Sequence, residues 1–186
     1  FWHHFEKAGA PIHSGNDLWI NLNPFTPGLN RVEADELSYG LHIMIRTDLE
    51  IDLLEKGLPV EDLPIEWNRR YLNLLGVSPA SDTEGCLQDV HWSEGMFGYF
   101  PSYLLGHLIS AQLTKTLEKD LGQIENIIES HEIGKILEWL RENVHHHGRS
   151  VDSEELVKKV TGKNLSPNYF LDYLDNKVEK LSKICD

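Results

Sequence analysis

From Arg31 to Lys56 the chain reads RVEADELSYGLHIMIRTDLEIDLLEK, and the spacing of its apolar residues decides the fold class. Leu37, Leu41, Met44, Ile45, Leu49 and Leu53 recur at intervals of three and four, which lays them along one side of a helix. Gly57 ends the run and Pro59 blocks its continuation. The same pattern continues downstream. A second helix is expected over Glu61 to Leu75, with Leu63, Trp67, Tyr71 and Leu74 on one side, Pro64 in its first turn and Gly76 as terminator. Further helices fit residues 101–121, 123–130, 132–147, 152–161 and 167–183. Two of these carry start signals: Asp152 with Glu155 reads as a capping box, and Ser166 followed by Pro167 as an N-cap with proline at the first helical position. Upstream, Gly9, Pro11, Gly15, Pro24, Pro27 and Gly28 interrupt any long helix, so residues 1–30 are expected to be a helical stub followed by irregular chain. The expectation is an all-α protein, a helical bundle over residues 31–186 behind an irregular N-terminal segment.

Composition narrows the function classes. A chain of 186 residues is long enough for one well-buried domain. Its net charge of -13, from 30 acidic and 17 basic residues, repels polyanions and argues against a nucleic-acid partner. No apolar run reaches the roughly 18 residues a membrane span needs, so no membrane role is expected. Two cysteines, Cys86 and Cys185, are too few for a disulfide scaffold and lack metal-binding spacing; two free thiols in a reducing cytoplasm are expected. The opening Phe1-Trp2-His3-His4 is neither an initiator methionine nor a signal peptide, which points to a chain trimmed, processed or numbered from inside something larger.

Candidate chemistry lies in a few places. A helical zinc hydrolase site places two histidines four residues apart with a glutamate after the first. The only His-Glu pair is His131-Glu132, and Lys135 occupies the second ligand position, so that motif fails. His145, His146 and His147 are consecutive, and residues about 100° apart on a helix cannot converge on one ion unless the helix has already ended. Near a helix C-terminus they fit the dipole and the free carbonyls instead. No metal-ligating residue is assigned, and His3, His4 and His13 are given no role.

The stretch GCLQDVHWSEGMFGYFPSY, residues 85–103, is denser in chemistry than an ordinary loop. Its glycines permit close backbone approach, while Gln88, Asp89 and His91 offer directional hydrogen bonds, and Asp89 is placed to orient the His91 ring. It serves either as a functional site or as a polar network tying a loop to a helix start. In Arg31-Val32-Glu33-Ala34-Asp35-Glu36, the spacing of Arg31 and Asp35 on one helix fits a surface ion pair, and the acidic residues suit a first turn. An arginine at a helix start can also offer its fork to a carboxylate.

Taken together, Arg31-x-x-Ala34-Asp35-Glu36 and, some fifty residues on, Gly85-x-x-Gln88-Asp89-x-His91-Trp92 resemble the paired signature of the carboxypeptidase Taq family, the thermostable carboxypeptidase 1 type. The resemblance extends through Tyr39 and Leu41-His42-Ile43, residues 97–106, Glu138 to Asn143, Val157 to Gly162 and Tyr169 to Leu174. It departs at Gly40, where asparagine is usual, at Asn30, where an aliphatic residue is usual, and over residues 6–30, which match poorly.

The resemblance implies a zinc metallocarboxypeptidase that releases C-terminal amino acids from peptides, with this chain as one wall of its cleft. The family's HExxH helix and distal glutamate lie upstream of the part seen here, and Phe1-Trp2 resembles residues just beyond that glutamate. Zinc is thus implied for the parent family, and none is expected in this chain alone. By position, Arg31 would bind the substrate's terminal carboxylate, His91 would sit at the substrate end, and Gln88 and Asp89 would support it. Tyr99 or Tyr103 would hydrogen-bond the scissile carbonyl; four apart, they would share one side of a helix. Implied partners are a peptide C-terminus, a homodimer mate and a missing N-terminal catalytic half. The alternative is a non-catalytic helical peptide-binding or protein-interaction module.

Overall fold

The computed structural model describes Lys7, Gly9 and residues 12–185; the expected N-terminal helical stub and the readings made on Phe1 to His4 lie largely or wholly outside that range. Among the described residues the regular structure is helical: α1 Gly15–Leu22, α2 Glu36–Leu54, α3 Leu63–Leu75, α4 Pro101–Leu121, α5 Ile124–Glu129, α6 Gly134–Asn143, α7 Ser153–Thr161 and α8 Asn168–Cys185, with short 3-10 turns at Arg31–Glu33, Val60–Asp62 and His145–His147. The all-α expectation holds. The chain divides into two compact units, Phe1–Leu104 with Leu181–Asp186, and Leu105–Lys180.

In the first unit, α2 and α3 build the core. Ile45 and Leu49 of α2 pack with Leu63, Trp67, Tyr71 and Leu75 of α3 and with Cys86. Each such buried aliphatic side chain contributes roughly 1.5–3 kcal/mol. The α3 stripe differs from expectation at one place: Leu75 is buried and Leu74 exposed, because the helix keeps a strict four-residue step from Leu63 through Trp67 and Tyr71. Gly76 ends α3 with φ of 72°, a left-handed conformation that an amino acid with a Cβ adopts at a cost. In α2, Met44 belongs to the apolar pattern yet faces outward.

Two boundaries depart from the sequence expectation. The long helix does not open at Arg31. Asp35 is its N-cap, accepting from the backbone N–H groups of Leu37 (3.0 Å) and Ser38 (2.9 Å), and Arg31 lies in a separate 3-10 turn. Upstream, Gly15–Leu22 is helical where irregular chain was expected, because Ser14 accepts from Asp17 N at 3.0 Å and Asp17 accepts from His13 N at 3.0 Å. This reciprocal cap overrides the nearby glycine and proline.

In the second unit, Gln112 is the internal junction. It has no solvent exposure; its Nε2 donates to Thr161 Oγ1 (3.0 Å) and the Asn164 carbonyl (3.1 Å), and its Oε1 accepts from Ser166 N (3.0 Å). One amide thereby joins α4 to the end of α7 and the start of α8. Trp139 of α6 donates from Nε1 to Asp120 of α4 at 2.9 Å. The expected caps are present, with Asp152 accepting from Glu155 N at 2.8 Å and Ser166 Oγ from Asn168 N at 3.3 Å. The helix expected over residues 132–147 stops at Asn143.

Candidate functional site

The first unit brings the two sequence motifs together around Asp89. The 3-10 turn at Arg31 is capped by Asn30, whose side chain accepts from Val32 N at 3.0 Å. This gives a structural reason for Asn30 at that departing position. Arg31 donates to Asp89 Oδ1 from Nε (3.0 Å) and Nη2 (2.7 Å), and from Nη1 to the Tyr39 hydroxyl at 3.4 Å. Its backbone N–H donates to Gln88 Oε1 at 3.0 Å. The guanidinium also lies over the rings of Tyr103 (5.0 Å) and Phe100 (5.8 Å). The partner of Arg31 is thus Asp89, 58 residues away, rather than Asp35, whose carboxylate is engaged by the α2 N-terminus.

On the other side of Asp89 stands Arg46, which sequence reading passed over. It has no solvent exposure and donates from Nε to Asp89 Oδ2 (2.6 Å), from Nη2 to Gln88 Oε1 (2.8 Å), and from Nη1 to the His42 carbonyl (2.8 Å) and the Tyr71 hydroxyl (3.1 Å). Its guanidinium lies 4.6 Å above the Trp67 ring. One turn later on α2, the buried carboxylate of Glu50 accepts from Trp92 Nε1 (2.9 Å) and from Gly98 N (3.1 Å). Spacing of i and i+4 ordinarily marks a surface pair; the signal that could have found these two was that both lie beside Ile45 and Leu49 on the apolar side of the helix.

Gln88 completes the frame, its Nε2 donating to the carbonyls of Leu29 (3.0 Å) and Glu84 (2.8 Å). Gly85 opens this loop by close approach: a Cβ there would lie 3.2 Å from Pro79 Cγ and from the Ser81 carbonyl.

His91 is 7% exposed and sits beside Phe100, with ring centroids 4.3 Å apart. Its Nε2 pairs with the Tyr103 hydroxyl at 3.0 Å, while Nδ1 lies 3.8 Å from Asp89 Oδ1, beyond hydrogen-bond range. Tyr99 and Tyr103 both flank the imidazole, at 5.7 and 5.8 Å between centroids. They do not share a helix face, since Tyr99 precedes α4; Tyr103 carries the hydrogen bond and Tyr99 is 44% exposed.

Two buried guanidinium groups share the one carboxylate of Asp89, with the buried Glu50 carboxylate one turn beyond Arg46 on α2. Burial works to lower the Arg31 pKa, but the hydrogen bond and charge of Asp89 outweigh it and hold Arg31 above its ordinary value. Burial likewise works to raise the Asp89 pKa, and the two arginines together keep it below the usual carboxylate range. The His42 imidazole, wholly buried and next to Arg46, is pushed down to about 4, with burial the larger cause.

Metal ligation is a separate matter. Among the described residues no group of three or more His, Cys, Asp or Glu side chains is placed to hold a metal ion. Glu132 pairs with Lys135 at 2.7 Å, a contact between neighbouring turns. His145, His146 and His147 follow the end of α6, which removes the helical geometry that would separate them, yet they form no such group.

Comparison with known proteins gives a consistent result. The family model described as carboxypeptidase Taq (M32) metallopeptidase matches residues 2–178, including the stretch 6–30 outside the motif resemblance. Carboxypeptidase 1 of Bacillus subtilis is 45% identical over 188 residues, covering 97% of this chain and 38% of that protein. Thermostable carboxypeptidase 1 of Thermus thermophilus is 38% identical, covering 97% and 37%. The solved structure of Trypanosoma cruzi metallocarboxypeptidase 1 superposes with a TM-score of 0.87 at 38% identity, over 94% of this chain and 37% of that one. The chain thus spans well under half the length of these relatives. It belongs to the carboxypeptidase Taq (M32) metallopeptidase family.

Proposed function

We propose that this chain forms the carboxylate-reading wall of a metallocarboxypeptidase cleft that releases amino acids from peptide C-termini. The sharing of the single Asp89 carboxylate by two buried guanidinium groups, Arg31 and Arg46, supports this reading most directly. A guanidinium that shares its carboxylate with a second one keeps donors that an incoming carboxylate can take. Asp89 engages Arg31 along its Nε and Nη2 edge, so the Nη1 edge, held to Tyr39 by a 3.4 Å bond, is the one that pairs with the guest. His91 and Tyr103, linked at 3.0 Å, serve as hydrogen-bonding groups for the last peptide unit, with Tyr99 at its exposed side. Gln88 and Asp89 hold Arg31 in place.

The zinc of the parent family belongs to residues outside this chain's own donor set, so no catalytic step is assigned here. On this reading the isolated chain neither retains stoichiometric zinc nor cleaves peptides, and in the cell it works in the cytoplasm beside the half that carries the ligands.

Titration calorimetry of a short peptide against its C-terminally amidated twin tests the proposal. The free acid binds at least tenfold more tightly, the scale of a charge-assisted pair, and Arg31→Gln removes the difference. Equal affinity for acid and amide would overturn the carboxylate reading and leave a module that takes peptides without reading their ends.

A further inference from the structure

We infer that Arg46 is a positioning residue for Arg31: it selects which edge of the Arg31 guanidinium is presented for carboxylate binding. This deepens the carboxylate reading above and rests on it.

Asp89 has two oxygens and two arginines to serve. Arg46 takes Oδ2 through Nε at 2.6 Å, and Arg31 is left with Oδ1 for both its Nε and its Nη2. Were Oδ2 unoccupied, Arg31 could swing to a fork-to-fork pair with both carboxylate oxygens, the geometry a lone arginine and carboxylate prefer. Arg46 thus enforces a one-oxygen grip and with it the orientation of Nη1. The second link runs through the backbone. Gln88 Oε1 accepts simultaneously from Arg46 Nη2 (2.8 Å) and Arg31 N (3.0 Å), so Arg46 also sets the position of the residue 31 main chain.

Arg46 is in turn immobilised from the opposite side. The His42 carbonyl and the Tyr71 hydroxyl accept from Nη1, and Trp67 and Phe100 lie at 4.6 and 5.5 Å from the guanidinium carbon. A planar fork with no solvent exposure cannot itself be the group that meets a peptide. It acts through Asp89 and Gln88. Lysine at this position would keep the charge and lose the simultaneous reach to both.

The test uses the full chain and Arg46→Lys, with two readouts. The first is the acid-to-amide affinity ratio of the peptide pair. Arg46→Lys lowers that ratio about tenfold, the worth of one misaligned charge-assisted bond, while the amidated twin binds within twofold of its original affinity. A purely structural role would weaken both peptides alike and leave the ratio unmoved, which would overturn the inference while the carboxylate reading stood. A wild-type protein with no acid preference would instead overturn the reading itself and the positioning role with it. The second readout needs no peptide and no variant. In nitrogen-15 spectra the Arg31 Nε–H of the wild type gives a separate, exchange-protected signal. Exchange at the rate of a free arginine would overturn the inference even if Arg46→Lys failed to fold.

Discussion

Arg46 and Asp89 lie 43 residues apart in the chain, yet their Nε and Oδ2 atoms are 2.6 Å apart, in a place where the arginine meets no solvent. Arg31 approaches the same carboxylate on its other oxygen. The energetic weight of this triad falls unequally on its members.

Asp89→Asn strands two buried cations, whereas Arg31→Met leaves Arg46 and Asp89 paired one to one. Breaking a buried pair by removing one partner costs about 3–5 kcal/mol. Asp89→Asn is therefore expected to cost that much in urea unfolding, and Arg31→Met distinctly less. The Asp89 pKa is lowered on folding, so its contribution is present above the unfolded value of roughly 3.9 and is lost as pH falls through the lower folded value. The acid limb of the stability profile flattens in Asp89→Asn. Equal costs for the two variants would count against the shared-carboxylate arrangement.

His42 gives a second pH signature. Its folded pKa is about 4, against roughly 6.5 for a free histidine. As pH falls from 6.5 the unfolded chain takes up the proton first. Stability is fully present above about 6.5, declines on the way to about 4, and is flat in this component below that, a total of about 3 kcal/mol. Urea midpoints measured across this range should show the decline in the wild type and lose it in His42→Gln.

Gln112 tests the second unit. Gln112→Leu leaves the Asn164 carbonyl and the Ser166 N–H without their buried partner. A loss of about 1–3 kcal/mol is expected. Faster amide exchange should appear at Ser166 first, while amides of the Asp89 cluster are unaffected; no change at Ser166 would speak against the junction.

Two glycines should respond with opposite signs. Gly85→Ala drives a Cβ to 3.2 Å from the Ser81 carbonyl and Pro79 Cγ, and a tight backbone contact of this kind costs about 1–3 kcal/mol. Gly106 lies inside α4 with nothing within 4 Å of its would-be Cβ, so Gly106→Ala gains roughly 0.5–1 kcal/mol from helix propensity. Thermal midpoints of the two variants check both.

The helices were legible because their signals are local. The apolar period placed α2 and α3, and the caps at Asp152 and Ser166 were visible as short strings. Misreadings arose where two local signals competed. Arg31 and Asp35 have the spacing of a helical pair, but Asp35 is the cap and so cannot also be the first turn. Leu74 and Leu75 are adjacent apolar residues, and only the step set by Trp67 and Tyr71 chooses between them. At the site, Gln88, Asp89 and His91 were conspicuous by their density. Arg46 and Glu50 were not. Their place on the apolar side of α2 was the one local signal, and four-residue spacing masked it as a surface pair, because the partners that bury them lie some forty residues away. That His91 pairs with Tyr103 rather than Tyr99 follows from α4 starting at Pro101, as expected, but a spacing of four by itself did not separate the two tyrosines.

The two-to-one ratio of arginine to carboxylate around residue 89 has a kinetic side. The 186 residues carry a net charge of -13, so their outer field opposes the arginine pair. On the carboxylate-reading proposal, an acidic guest would be slowed on approach and held on arrival. Added salt screens the long-range repulsion over roughly 10 Å at 0.1 M and scarcely touches the dry contact, so moderate ionic strength quickens arrival more than it loosens the grip.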